Sequence, residues 1–130
     1  MYLLSNNPLV LEKYPQGEFI EGPIWEVLIR ARNYIHQGYK LLTHPLAGSI
    51  KPNQTPYKSL LLQKRKDRKL VDFSSLQLIE SALAAWEKFG PARQHGPRVL
   101  HDLQVIDLSL LEAALESLQA SGITAMGKRF

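Results

Sequence analysis

The chain has 130 residues, with 16 Lys or Arg against 12 Asp or Glu, a formal net charge of +4 and no cysteine. That length suits one domain, here residues 1-130, whose core needs neither metal nor disulfide; the missing cysteine excludes thiolate nucleophiles, Cys-ligated zinc and Cys-ligated iron–sulfur clusters. No apolar run approaches the roughly 18 residues of a membrane span, and the opening Met1-Tyr-Leu-Leu-Ser-Asn6 lacks the basic and long apolar regions of a secretory signal, so no membrane association and a cytoplasmic location are expected.

In chain order, Met1 to Leu4 is a short apolar run that reads as a buried strand, stopped by the polar turn Ser5-Asn6-Asn7-Pro8. Phe19-Ile20 reads as a second short strand. Gly22-Pro23 starts a helix with Pro in the first helical position, and Ile24, Val27, Leu28, Ala31, Tyr34 and Ile35 recur at three and four residues up to a left-handed cap at Gly38. Tyr39 to Thr43 is expected to be a strand. So is Tyr57 to Leu62, where three consecutive Leu predict burial on both faces. Lys64 to Lys69 is a basic connection, and Leu70-Val71 is either a short strand or the lead-in to a helix. Ser74 and Gln77 suggest a capping box, with Phe73 and Leu78 as its hydrophobic staple, for a helix ending at Gly90-Pro91. Residues 90-98 are a connection, 99-105 fit strand or loop equally, and Ser109 with Glu112 suggests a third helix up to Gly122. Residues 124-130 read as a frayed tail. Strands interleaved with about three helices predict an α/β sandwich over a small, largely parallel sheet.

Charge is polarised along this chain. Residues 27 to 66 contain no Asp or Glu but hold eight Lys or Arg, together with His36 and His44. Within that window the run from Leu41 to Tyr57 is too rich in Pro, Gly and small polar residues for a packed element. Pro45, Pro52 and Pro56 argue that it is an ordered loop rather than a slack one. It follows a predicted strand, as does the turn at Ser5, and ligand sites in α/β sheets gather beyond carboxyl ends of strands. A shared pocket for a small anion is therefore expected, built from Ser5, Asn6, Asn7, His44, Gly48, Ser49, Lys51, Asn53, Thr55 and Tyr57. Lys51 would supply charge, His44 and Ser49 hydrogen bonds, and Asn6 and Asn53 polar orientation.

Other chemistry finds less footing. His44 is held extended by Pro45 and is the weak candidate for a catalytic general base, but its window offers no carboxylate to orient it; Glu18, Glu21 or Asp102 would have to be brought by the fold. Ser49 lacks the Gly-x-Ser-x-Gly setting, no glycine-rich nucleotide motif is present, and the four histidines have no zinc spacing. No cofactor or metal is expected. The basic run at 64-69 lacks interleaved aromatics, which weighs against nucleic acid. Oligomeric state is not legible, since core packing explains the Leu-rich helix faces as well as a dimer surface would.

The segment from His36 to Ser59 resembles the GrdX family, small proteins encoded with the glycine, sarcosine and betaine reductase complexes of anaerobic bacteria. Leu3-Leu-Ser-Asn-Asn-Pro8 and Asp72-Phe-Ser-Ser-Leu-Gln-Leu-Ile-Glu80 are similar to the same family. The resemblance implies a cytoplasmic accessory or regulatory role beside such a reductase. It brings no activity and no catalytic residue. Three readings follow: a protein with a small-anion pocket, a module that docks on a reductase subunit, or a small enzyme using His44 as base.

Overall fold

The structure is a computed structural model that describes residues 1–46, 53–66 and 70–122. Among these residues four strands and four helices follow in the order β1 (Tyr2–Ser5), α1 (Pro8–Lys13), β2 (Glu18–Phe19), α2 (Ile24–His36), β3 (Lys40–Leu41), β4 (Ser59–Gln63), α3 (Phe73–Phe89) and α4 (Pro97–Ala120). This is the expected α/β fold, with one more helix. The sheet order is β2-β1-β4-β3. It is mixed rather than largely parallel: β1 and β2 pair parallel, while β4 lies antiparallel to both β1 and β3. Because β4 inserts between them, β1, β2 and β3 still point the same way. Their carboxyl ends and the amino end of β4 form one edge of the sheet, and the cleft described below lies there.

Strand alternation divides the apolar residues between two cores. Leu4, Leu60 and Leu62 face α2 and α3 and pack with Leu28, Ile35, Ile79 and Leu83. Leu3 and Leu61 face the other way, against Val10 of α1 and Leu111 and Leu115 of α4. Leu60, Leu61 and Leu62 are each fully buried, as the triple-Leu run predicts, and each stabilises by about 1.5–3 kcal/mol through burial. The sheet is thus the middle of three layers.

Local signals set most boundaries. Helix α2 ends as expected: Gly38 has φ 97°, its N–H donates to Ile35 O at 2.9 Å, and Tyr39 N–H donates to Tyr34 O at 3.0 Å. Both bonds of a Schellman turn are present, at a φ that favours glycine. Pro23 caps α2 rather than opening it. Strand β3 is shorter than the expected Tyr39 to Thr43, because Leu61 N–H is taken by Thr43 Oγ1 at 3.1 Å and the side chain ends the backbone ladder.

Three expectations at helix ends are corrected. The cap of α3 is Asp72, whose carboxylate accepts from Ser75 N–H at 3.1 Å and Ser75 Oγ at 2.5 Å; Ser74 lies inside the helix and Phe73 is 69% exposed, so neither the box at Ser74 and Gln77 nor its staple forms. The Ser5 to Pro8 turn opens α1, with Asn7 Oδ1 accepting from Leu9 N–H at 3.0 Å. Residues 99-105 are neither strand nor loop. One 24-residue helix runs from Pro97, through Ser109, to Ala120. Pro97 after Gly96 is its true start. The residues read as a frayed tail lie outside the described residues.

Candidate functional site

Helix α4 packs on the sheet through Leu111 and Leu115, while its amino-terminal half leaves the sheet and overhangs the edge where β1, β2 and β3 end. A narrow, open cleft lies beneath it. Leu103, Ile106 and Leu110 of α4 form one wall, Ile24 and Leu28 of α2 with Ala82 and Trp86 of α3 another, and Pro45, Leu46, Thr55, Tyr57 and Lys58 close it. Trp86 is held against Trp25, ring centroids 5.2 Å apart, which fixes that side. A second space, lined by Thr43, His44 and Ser59 among others, shares Lys58, Asp107 and Leu110 with it.

Two opposite charges meet both spaces. Asp107 is 7% exposed. Its Oδ2 accepts from Asn7 Nδ2 at 2.9 Å and from Ser59 Oγ at 2.7 Å. Since Ser59 spends its proton on Asp107, the 2.7 Å contact between Ser5 Oγ and Ser59 Oγ has Ser5 donating, and Ser5 in turn accepts from Asn7 N–H at 3.0 Å. The donors line up toward one carboxylate, an arrangement in which each bond polarises the next. Burial nonetheless pushes the Asp107 carboxyl above its usual range, against the lowering pull of Asn7, Ser59 and the Lys58 charge. Lys58 is shifted the opposite way: burial holds its ammonium below the usual lysine range, and only the Asp107 charge opposes this. Among the described residues Lys58 Nζ makes no hydrogen bond or ion pair. Among the described residues no side-chain donor reaches Asp107 Oδ1.

The residues singled out from sequence separate into groups here. Thr55 and Tyr57 line the cleft, the Tyr57 hydroxyl accepting from Gln104 Nε2 at 2.9 Å and Thr55 Oγ1 accepting from Tyr57 N–H at 3.2 Å. His44 lines the second space, exposed, with Nδ1 accepting from Leu46 N–H at 3.1 Å; among the described residues no carboxylate is hydrogen-bonded to it. Ser5, Asn6 and Asn7 stand behind the wall. Asn6 brackets the edge, its Oδ1 accepting from Lys58 N–H at 2.9 Å and its Nδ2 donating to Pro56 O at 2.8 Å and Gly22 O at 3.0 Å. Asn7 Nδ2 also donates to Gln104 O at 3.0 Å, tying α1 to α4. Asn53 is apart from the cleft, its carbonyl accepting from Arg93 N–H at 3.0 Å, and among the described residues its Oδ1 is a buried acceptor without a hydrogen bond. Gly48, Ser49 and Lys51 lie outside the described residues.

Sequence reasoning missed Lys58 and Asp107. Lys58 is simply one basic residue among the window's eight. Asp107 had a visible signal: Leu100, Leu103, Leu111 and Leu115 recur at three- and four-residue spacing, and Asp107 occupies the gap in that stripe where an apolar residue belongs. Among the described residues no cluster of His, Asp or Glu could hold a metal ion, and no helix is long and apolar enough to cross a membrane. No curated protein and no solved structure matches the chain. The family model for GrdX-like protein matches residues 2–116, from β1 through Asp107 and into the last turns of α4, and the chain belongs to that family.

Proposed function

We propose that this protein is an accessory component of glycine-reductase-type systems that binds a small carboxylate- or phosphate-bearing ligand in the cleft under α4, with Lys58 as the cation. Lys58 is the observation that carries the reading: a half-buried lysine lining a concave wall, without an ion pair or hydrogen bond at Nζ among the described residues. A desolvated cation costs stability, and replacing it by an apolar side chain is often neutral or stabilising. An anion bound against it offsets that cost. Tyr57, Thr55 and His44 stand near as polar neighbours, and membership in the GrdX-like family supports the reductase setting.

Thermal melting with inorganic phosphate and with acetate, on the wild type and on Lys58→Met, tests this. Ligand at a hundredfold its dissociation constant adds about 2.7 kcal/mol, several degrees of Tm in a chain of this size. Lys58→Met is expected to melt at or above the wild-type temperature and to lose the shift. A Lys58→Met protein whose shift equals that of the wild type overturns the reading.

The docking alternative rests on a different observation. Val99, Val105, Ile106 and Leu110 of α4 are 40–44% exposed and sit along the overhanging half of the helix. A reductase subunit covering them would seal the cleft. Co-purification from the native host that recovers no reductase component removes this alternative. A general-base role for His44 lacks comparable support, because among the described residues its ring has no carboxylate partner to orient it.

A further inference from the structure

An anion at Lys58 leaves the second charge of the cleft without a use. Asp107 would repel a simple carboxylate or phosphate, and a site selective for such anions gains nothing from it. Its burial is costly, yet Asn7 and Ser59 hold Oδ2 in a fixed orientation, and among the described residues no side-chain donor reaches Oδ1. Among the described residues Asp107 and Lys58 form no ion pair with each other, although both line the same cleft. One small molecule bearing both charges satisfies both groups.

Granted the ligand site proposed above, we infer that its ligand is a small amino-acid-like zwitterion, with its ammonium donating to Asp107 and its carboxylate accepting from Lys58, and with a short aliphatic body against Leu103 and Ile106. Asp107 and Lys58 are the binding residues; Asn7 and Ser59 are positioning residues that keep the Asp107 carboxylate from turning. Selectivity is a difference of repulsions as much as a sum of attractions. A plain amine meets Lys58 and a plain carboxylate meets Asp107, so each single-charge molecule is penalised by the residue it fails to satisfy.

Isothermal titration of the intact chain decides the matter with two matched series. Glycine, β-alanine, 4-aminobutyrate and 5-aminopentanoate form one, and acetate, propionate, butyrate and pentanoate the other. At one chain length, that matching the Lys58 to Asp107 span, the amino acid is expected to bind at least about tenfold tighter than its deaminated counterpart, the gain of one charge-assisted hydrogen bond. Asp107→Asn is expected to erase that preference while retaining carboxylate binding, and Lys58→Met to lose both. Carboxylates that bind as well as their amino counterparts at every length overturn the zwitterion and leave the Lys58 reading standing. If neither series binds, both fall. The wild-type comparison is decisive even where Asp107→Asn fails to fold.

Discussion

Two carboxylates, Glu18 and Asp107, are drawn out of water in different parts of the molecule and are treated in opposite ways. Glu18 Oε1 lies 2.8 Å from the Tyr2 hydroxyl and 2.6 Å from that of Tyr34, its Oε2 is paired with Arg30, and the rings of Tyr2, Tyr34 and Tyr39 stack around it with centroids 4.9–6.0 Å apart. Burial, and then the Glu18 carboxylate, push the Tyr34 hydroxyl far above its usual range, so it stays a donor. Every group there has its partner, and the cluster ties β1, β2 and α2 together. Asp107 takes neutral donors, Asn7 and Ser59, on Oδ2, has no ion pair with the nearby Lys58 among the described residues, and has a cleft in front of it. A satisfied carboxylate is a structural tie. One with a cleft before it is what the ligand proposed above would use.

The contrast breaks first at Glu18. Glu18→Ala strands two tyrosine hydroxyls and a guanidinium in a half-buried place and is expected to cost about 2 kcal/mol in chemical denaturation, with no change in ligand binding. A cost confined to binding would reverse the assignment. Next is Ser59→Ala, which removes one donor from Asp107 and breaks the line from Ser5; about 1 kcal/mol of stability should be lost, and the Asp107 carboxyl should rise further in a carbon-detected NMR titration. The smallest stability effect belongs to Asp107→Asn, which keeps an acceptor for Asn7 and Ser59 but removes the buried charge. Its unfolding free energy at neutral pH should lie within about 1 kcal/mol of wild type, on the favourable side.

The sign of the pH dependence tests Asp107 as well. Because burial raises the Asp107 pKa above its unfolded value, the proton-linked stability it contributes is fully present below the ordinary carboxylate range and is lost as pH rises through the folded value. Wild type should therefore gain on Asp107→Asn as pH falls from neutral toward that range. Melting curves of the two proteins across that window that stay parallel would contradict the buried charge.

Much of this architecture is legible in the residues themselves, and the failures have physical reasons. The strand at Tyr2, the α2 periodicity with its Gly38 cap, the doubly buried Leu60 to Leu62 and the body of α3 are local signals, and each forms as read. Strand direction is not local. The insertion of β4 between β1 and β3 depends on pairing across 54 residues, from Ser5 to Ser59, and no periodicity encodes it. Helix α4 was hidden by Ser109 and Glu112, which imitate a helix start, and by Asp107, which interrupts the apolar stripe. The same interruption is the most informative feature of the cleft. Ser5, Asn6 and Asn7 were legible as polar residues beyond a strand, but their hydrogen bonds are spent on Ser59, Lys58, Gln104 and Asp107 rather than on a ligand. A polar cluster at a strand end can thus serve as scaffolding for the charges in front of it.

The central claim, that Lys58 and Asp107 are held unpaired for a ligand, is tested most directly by NMR titration of the Lys58 side-chain nitrogen and the Asp107 carboxyl carbon, with and without saturating acetate. An anion bound at Nζ favours the charged form, so the account predicts that the depressed Lys58 pKa rises toward its ordinary range when acetate is present. Resonances of Lys58 and Asp107 that titrate identically with and without acetate would contradict it.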